Sequence, residues 1–400
     1  MEVLKEKTRA LCSECYEEVD GRIIEEGGEA VIEKFCPTHG TTRGVIEKDA
    51  SFMKKILSAP RRDDPNPFPY RCLMINATHA CNLKCHLCYL PERDTALDLS
   101  LEEIKESIDA YPGYSIAFSG GEPTLYPHLP ELIRYTFEKK KIPAVITNGV
   151  KLADYRYVKE LREAGLTLLN FSFNGLKEEA YLGIEGTKLL DIKLRALENV
   201  RKVGGIYTQV SFTMARGVND DQFGEVIKYA LKNNDFIYQI RARVAAGIGR
   251  RLGEKDIYLS DFLKLLAEET AIPCELFVDH WVSQDWFPNP FMCSIEYFEF
   301  LRSPAVAKAL GFDGNAEHLE AYLSKFVGEE NAVRVLRHKP EDYRPPVTRP
   351  TFLFVLFSWP DKHILDYEEI KGLNLDILTR DKKVVNYWDG LIRNEKLNFL

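Results

Sequence analysis

The sequence lacks the segments that would place the chain in a membrane or direct it through one. Its most apolar short stretch, residues 352–359, is far shorter than the roughly 20 residues that a membrane-spanning helix needs. The first twelve residues, MEVLKEKTRALC, contain no apolar core of the kind found in a secretory signal peptide. The sequence therefore predicts a cytoplasmic protein with no transmembrane segment.

Excess positive charge is also absent. The formal net charge of the 400 residues is −8, and a surface that binds nucleic acid needs clustered Lys and Arg. We therefore expect no nucleic-acid partner. Hydrophobic residues at 45% and charged residues at 28% are ordinary values for a globular protein. The length allows one large domain with appendages, or two to three domains.

The sequence also lacks the evenly spread, even-numbered cysteines that would indicate disulfides. The nine cysteines are odd in number and lie in short clusters, which fits metal ligation in a reducing compartment better than disulfides.

Cys81, Cys85 and Cys88 follow the apolar run 72–77 with the spacing C-x3-C-x2-C. Three thiolates can hold three corners of a cubane iron–sulfur cluster, which leaves the fourth iron open to a small molecule. A zinc knuckle completed by His79 or His86 is the alternative.

A second group of metal-binding residues lies in the first fifty residues. A C-x2-C pair and a C-P-T-H-G segment flank a predicted hairpin, with strands at 21–25 and 30–33. This is the layout of a zinc ribbon or rubredoxin-like site, in which one mononuclear zinc or iron replaces a core too small to fold alone. The predicted ligands are Cys12, Cys15, Cys36 and His39. If all four ligands are cysteines, Cys72 is the nearest remaining candidate.

From residue 70 to about 255, short apolar strands alternate with amphipathic helices, after a proline- and charge-rich segment, 51–69, that reads as a linker. The predicted strands are 72–77, 115–118, 144–147, 167–173, 207–214 and 237–244. The predicted helices lie near 101–111, 128–140, 153–164, 187–203 and 220–232. Short βα connections imply a parallel sheet whose functional loops follow the carboxyl ends of the strands. We therefore predict an α/β fold, a partial (β/α)6 barrel, with a metal-binding β unit at 1–50 and an α+β domain at 256–400.

Three motifs follow successive strands of this predicted barrel. They are Gly120-Gly121-Glu122-Pro123, Thr147-Asn148-Gly149 and Ser172-Phe173-Asn174-Gly175. Each motif alone is typical of a βα turn. Together with the three-cysteine loop, they resemble the signature of the radical S-adenosylmethionine (SAM) superfamily. Asn174 stands where the related pattern usually has Asp, and Leu87 stands where an aromatic residue is common.

The resemblance implies a [4Fe-4S] cluster on Cys81, Cys85 and Cys88 and a bound SAM molecule. The residues that it implies as SAM contacts are Gly120, Gly121, Glu122, Pro123, Asn148, Ser172, Asn174, Tyr89 and Val244. Ala245 and Gly247 are further candidates beside adenine, and Arg241, Arg243, Arg250 and Arg251 could meet a carboxylate or phosphate. Cys274 and Cys293 are too few for an auxiliary cluster, so we expect buried thiols.

The activity implied by the resemblance is that of an oxidoreductase. An electron from a flavodoxin- or ferredoxin-like donor cleaves SAM, and the 5′-deoxyadenosyl radical abstracts hydrogen from an unactivated C–H bond. The N-terminal unit with the barrel also loosely resembles relatives of archaeal tetraether-lipid synthases, so lipid-like, small-molecule and peptide substrates stay open. A peptide- or protein-modifying maturase and a cobalamin-using methyltransferase are alternatives. A metal-binding scaffold without activity is the alternative of a different class.

Overall fold

The computed structural model describes residues 1–61, 71–88, 90, 94–244, 257–285, 287–312, 315–337, 351–370 and 375–397. Two sheets organise these residues, one of four strands and one of ten. Among the described helices, none is long and apolar enough to cross a membrane.

The N-terminal sheet is antiparallel, with its four strands in chain order. The strands are β1 (Glu2–Leu11), β2 (Glu18–Glu26), β3 (Glu29–Cys36) and β4 (Gly40–Glu47), followed by helix α1 (Ala50–Ser58). The predicted hairpin is the β2–β3 pair, and its turn uses Gly27 and Gly28 at positive φ, a conformation that glycine adopts readily. The sequence did not reveal β1 and β4. Helix α1 occupies the start of the segment that we interpreted as a linker.

The centre of the ten-stranded sheet consists of the six predicted parallel strands in chain order. They are β5 (Cys72–Thr78), β6 (Ser115–Gly120), β7 (Ile142–Thr147), β8 (Leu168–Ser172), β9 (Tyr207–Met214) and β10 (Ile237–Val244). The helices between them are α2 (Leu101–Ala110), α3 (Leu129–Glu138), α4 (Tyr155–Glu163), α5 (Glu178–Glu185), α6 (Leu190–Val203) and α7 (Phe223–Lys232). Short 3-10 helices lie at 95–97, 123–125, 150–153 and 220–222. Only α5 was not anticipated among these helices.

The C-terminal part of the chain extends the same sheet, although we expected a separate domain from residue 256. Its strands are β11 (Met292–Glu296), β12 (Leu353–Phe357), β13 (Leu375–Leu378) and β14 (Val384–Asn386). Its helices are α8 (Leu259–Thr270), α9 (Cys274–Gln284), α10 (Tyr297–Arg302), α11 (Pro304–Ala309), α12 (Ala316–Val327), α13 (Glu329–Arg337), α14 (Tyr367–Ile370) and α15 (Tyr387–Leu397). Strand β12 pairs in parallel with β10, and β13 pairs in parallel with β5. Antiparallel β11 and β14 complete the two edges.

The central strands place alternate residues on two faces of the sheet. One face is apolar and packs on helices; Phe212 of β9, for example, contacts the ring of Phe223 at the start of α7. The other face lines the concave interior of the curled sheet, which we call the lumen. Cys72 on β5 and Arg241 on β10 interact electrostatically across it, although four strands separate β5 from β10.

The N-terminal sheet is docked on the C-terminal part of the chain by buried polar contacts. The Thr8 hydroxyl donates to Asp366 at 2.6 Å, and Lys5 pairs with Glu369 at 2.8 Å. Arg61, after α1, pairs with the same Glu369 at 2.6 Å. These contacts hold the small sheet against the segment that follows β12.

Candidate active site and metal centre

The three-cysteine loop lies at the carboxyl edge of the sheet, just past the end of β5. Cys81 and Cys85 are partly buried against a small apolar cluster of Leu83, Tyr181 and Leu189. Helix α5, which contributes Tyr181 to this cluster, also holds the loop through its backbone, because the His86 N–H donates to the Ile184 carbonyl oxygen at 2.9 Å. The helix that sequence reasoning missed therefore positions the loop.

The surroundings of Cys85 suit a thiol that binds a cation. Burial, together with the neighbouring charges of Glu185, Cys88 and Cys81, raises the pKa of Cys85 to about 12. A bound iron–sulfur cluster would reverse this balance, since a metal centre deprotonates a coordinating thiol. Cys81 and Cys88 act electrostatically on Cys85, and three neighbouring thiols are the donor set that a [4Fe-4S] cluster with one open iron needs. Ligation of the cluster by these cysteines stays a prediction.

Gly120 and Gly121 bring the end of β6 against the backbone that leads into the cysteine loop. The Gly121 N–H donates to the Thr78 carbonyl oxygen at 2.8 Å, and the Glu122 N–H donates to that of Ala80 at 2.7 Å. A Cβ atom on Gly121 would lie 2.3 Å from the Ala80 carbonyl oxygen, and one on Gly120 would lie 2.2 Å from that of Thr78. In this structure the glycines permit a close approach of backbone to backbone.

The Glu122 carboxylate is buried and fully engaged within the protein. It accepts hydrogen bonds from the Thr124 hydroxyl and the Thr147 hydroxyl, each at 2.6 Å. It also accepts from the backbone N–H groups of Thr124 and Asn148. Glu122 thereby ties the GGEP and TNG motifs together, and Pro123 begins the short helix that follows. A direct contact of Glu122 with SAM stays a prediction.

The polar residues of the other two motifs connect neighbouring elements. The Asn148 amide donates to Asn82 of the cysteine loop at 2.8 Å. The Asn174 side-chain oxygen accepts from the Thr213 N–H at 2.9 Å, which links the end of β8 to β9. Ser172 lies at the end of β8, where its carbonyl oxygen accepts from buried Lys193. Hydrogen bonds thus connect the GGEP and TNG motifs to the cysteine loop and the residues before it, and the third motif lies at the end of β8; contact of these residues with SAM stays a prediction.

Some of the predicted contacts with SAM cannot be placed. Tyr89, Ala245, Gly247, Arg250 and Arg251 lie outside the described residues. Val244 is described and buried at the end of β10, in register with Met214 on the helix-packed face. Contact of Val244 with adenine would therefore involve its backbone rather than its side chain.

Two buried asparagines of the lumen escaped the sequence analysis. Asn76 on β5 and Asn170 on β8 are 6% and 8% exposed, and register places Asn170 beside Gln209 of β9. Among the described residues, neither amide atom of Asn76 nor the Asn170 side-chain oxygen has a hydrogen-bond partner. An amide within an apolar parallel strand, as in LMINAT and LLNFS, was the available signal, since such strands are otherwise near-continuously hydrophobic.

The second predicted metal site forms in the N-terminal sheet. One ligand atom from each of Cys12, Cys15, Cys36 and His39 lies within 4.8 Å of the others. The Cys15 and Cys36 sulfurs are 3.8 Å apart, and His39 Nδ1 is 3.7 Å from Cys12 and 3.5 Å from Cys36. Zinc bonds of about 2.3 Å to sulfur and 2.0 Å to nitrogen give tetrahedral edges of about 3.8 and 3.6 Å. The four residues therefore fit one mononuclear ion.

Local hydrogen bonds prepare this site for a cation. Backbone N–H groups of His39 and Thr38 donate to the Cys36 sulfur and lower the pKa of Cys36 to about 6, although burial opposes them. The alternative fourth ligand, Cys72, lies instead in β5, paired with Ser115 of β6. The site is therefore of the three-cysteine, one-histidine type.

The structure does not support a zinc knuckle at the three-cysteine loop. His79 Nδ1 is 2.6 Å from Asp98, and His86 Nδ1 is 3.1 Å from the Gly183 carbonyl oxygen. Within the described part of the chain, the N-terminal group is the one cluster of Cys, His, Asp or Glu ligand atoms close enough for a single ion.

Two protein-family models match the segments of the chain that contain the two candidate sites. Residues 75–230 match the radical SAM superfamily, and residues 4–48 match the zinc ribbon domain described as the HMPTM N-terminal zinc ribbon. The chain therefore carries a radical SAM domain preceded by a zinc ribbon.

Individual relatives cover different parts of the chain. A 7,8-dihydro-6-hydroxymethylpterin dimethyltransferase of Methanocaldococcus jannaschii is 32% identical over 324 residues, which is 73% of this chain and 63% of that protein. A probable GTP 3′,8-cyclase of Pyrococcus abyssi is 31% identical over 209 residues, or 50% of this chain and 65% of the relative. This chain thus spans less than two thirds of either relative. Among solved structures, SuiB of Streptococcus suis bound to S-adenosylmethionine has a TM-score of 0.44 and 15% identity, covering 68% of this chain and 69% of its own.

Proposed function

We propose that the protein is a radical SAM enzyme that acts on a small polar substrate held in the lumen of its barrel. The observation that carries the proposal is the position of the three-cysteine loop. The loop lies at the carboxyl edge of a parallel sheet, next to a lumen lined by polar side chains. When bound, the cluster and SAM supply a 5′-deoxyadenosyl radical. The chain itself must hold the substrate C–H bond close to that radical and exclude water.

Different residues of the chain would bind the cofactors and the substrate. Cys81, Cys85 and Cys88 would hold the cluster, and the backbone of Gly120 and Gly121 lies beside them. The polar motif residues that link the ends of β7 and β8 to neighbouring strands and loops would keep the SAM site in one arrangement. A rigid first layer of this kind favours productive geometry, because small displacements are costly in rate.

A heterocyclic substrate fits the lumen better than a lipid does. The Asn76 amide and the Asn170 side-chain oxygen, unpartnered among the described residues, offer one donor group and two acceptors that a buried ligand can satisfy, and an unsatisfied buried polar group is unfavourable. A reduced pterin presents adjacent donors and acceptors along one ring edge, and the M. jannaschii relative is named for such a substrate. A pterin-like heterocycle is therefore the first candidate, ahead of the lipid-like substrate considered from sequence.

The experiment is anaerobic turnover of the reconstituted protein with SAM and a strong reductant. We expect formation of 5′-deoxyadenosine, and its rate should rise when 7,8-dihydro-6-hydroxymethylpterin is added. Replacing Cys85 with Ala should abolish formation of 5′-deoxyadenosine, because two thiolates do not fix the cluster. Cys274→Ala is the matched control, since Cys274 lies at the start of α9 and should leave activity unchanged.

Other outcomes would favour the alternative functions. Stimulation by a peptide and not by the pterin would favour a maturase, and dependence on added cobalamin would favour a cobalamin-using methyltransferase. If the wild-type protein binds iron but never releases 5′-deoxyadenosine, the enzyme assignment is wrong and a metal-binding scaffold remains.

A further inference from the structure

Two arginines of β10 project into the lumen. Register pairs Arg241 with Ser211 and Arg243 with Thr213 of β9, and Ser211 is paired with Ser172 of β8. The Arg243 Nε–H donates to the Thr213 hydroxyl at 2.9 Å. The two guanidinium groups thus lie two strands beyond the last SAM motif, on the wall that β10 forms with β12.

These two positive charges lack acidic partners in the described part of the chain. No carboxylate oxygen there lies within 4.0 Å of either half-buried guanidinium group, whereas Lys193, a fully buried cation of the barrel, is paired with Glu185 at 2.9 Å. Burial lowers the pKa of Arg241, and the charge of Arg243 lowers it further. Burying a charge without a counter-ion is unfavourable.

Aromatic rings hold the two side chains in place from one side. The Arg241 Cζ lies 4.5 Å from the centroid of the Phe357 ring, and the Arg243 Cζ lies 5.4 Å from that of Trp359. A guanidinium group stacked on a ring keeps its N–H edge available for a planar or tetrahedral anion. The pair is therefore arranged to bind an anion through charge-assisted hydrogen bonds.

We propose that Arg241 and Arg243 form a binding site for a carboxylate or phosphate group of the substrate. The proposal rests on the proposed function for the identity of the ligand as substrate. The anion would occupy the β10–β12 wall while the neutral part of the molecule meets Asn76 and Asn170. Substrates with one anionic group at the end of a polar or heterocyclic body are the class that this lumen selects.

The test measures anion binding without relying on turnover. Phosphate, pyrophosphate and succinate are titrated by calorimetry into the reconstituted wild-type protein at constant ionic strength. We expect one saturable site for at least one of these anions, and the preferred anion distinguishes phosphate from carboxylate recognition. Arg241→Gln and Arg243→Gln should each weaken this binding at least tenfold. Arg134→Gln, on the exposed face of α3, is the matched control and should not change it.

Three results would overturn the proposal. The first is absence of saturable binding to the wild-type protein, and the second is wild-type affinity in both Gln variants. The third is displacement of the anion by saturating SAM, which would place the anion in the SAM site. Circular dichroism checks the fold of each variant; if Arg241→Gln does not fold, Arg243→Gln and Arg241→Lys decide. Release of 5′-deoxyadenosine by the same preparation is scored separately, so failure of the radical SAM function and failure of the anion site give different results.

Discussion

At the scale of the residue, Gly121 shows that a motif which resembles a ligand-binding turn also has a structural role. A side chain at this position would collide with the Ala80 carbonyl oxygen, 2.3 Å from the Cβ position, and Ala80 is adjacent to Cys81. Backbone cannot yield as a flexible side chain can, so the cysteine loop would have to move. The motif therefore supports the cluster loop as well as any SAM contact.

Gly121→Val should therefore lower both the cluster iron content and the affinity for SAM. Iron analysis and the absorbance of the reconstituted cluster measure the first effect, and calorimetry with SAM measures the second. Gly311→Ala is a suitable control, because Gly311 has positive φ but no neighbouring atom within 4 Å. Full iron content in Gly121→Val with weakened SAM binding would show that the glycine acts only at the SAM site.

At the scale of the element, the docking of the N-terminal sheet places a carboxylate in an unfavourable environment. Burial and the charge of Glu369, opposed by Lys5, raise the pKa of Asp366 to about 6. The unfolded chain releases this proton near pH 4. The protonated form thus stabilises the fold below about pH 4, and this contribution is lost as the pH rises through 6.

Asp366→Asn should remove this pH dependence. Between pH 5 and pH 7, the free energy of unfolding of the wild-type protein should fall relative to that of the variant by about 1 kcal/mol. Urea unfolding at both pH values measures the difference. As a control, Asp20→Asn, an exposed change in the N-terminal sheet, should follow the wild type. A constant difference between wild type and Asp366→Asn across this range would contradict the expected shift.

The metal site of the same sheet gives a second prediction at this scale. A Cys12→Ser, Cys15→Ser double variant should lose one metal ion per chain and part of its stability, because the ion joins the β1–β2 connection to the β3–β4 connection. It should still release 5′-deoxyadenosine, since its ligands are separate from the cysteine loop. Elemental analysis and thermal unfolding measure the first two effects. Retention of all metal, or loss of the cubane cluster, would disprove the separation of the two sites.

Which elements the sequence predicts depends on the range of the interactions that define them. Strands β9 and β10 were predicted to the residue, because an apolar run bounded by turn residues is a local signal. The capping box of Ser100 and Glu103 is equally local, and both of its hydrogen bonds are present. Strands β12 and β13 are short apolar runs whose parallel partners, β10 and β5, lie more than 100 and about 300 residues away. Local pattern does not specify such pairings.

The same reasoning applies to the candidate site. The cysteines and turn motifs could be read from spacing, because each is a short segment with a definite composition. The positions of the Asn76 and Asn170 amides in the lumen could not be predicted from spacing, because they follow from the curvature of the sheet. The involvement of α5 in holding the cysteine loop also required the fold.

At the scale of the whole molecule, the C-terminal part of the chain completes the barrel wall. Strand β12 covers the edge of β10 beside the two arginines, and β13 covers the edge of β5 at its amino-terminal end. An uncovered strand edge presents unpaired backbone groups and promotes aggregation. The six-stranded repeat is therefore not expected to be stable without the residues after 256.

A chain ended at residue 256 should accordingly be insoluble or aggregated, and it should release no 5′-deoxyadenosine. Size-exclusion chromatography and circular dichroism after anaerobic purification measure its state. Removal of residues 1–48 is the matched deletion, because it takes away a separate sheet and should weaken the protein without opening the barrel. If the shortened chain were instead monomeric, with native-like dichroism and SAM cleavage, β12 and β13 would be additions to a barrel that folds alone. Aggregation of the first deletion together with folding of the second would show that the ten-stranded sheet is the unit of folding.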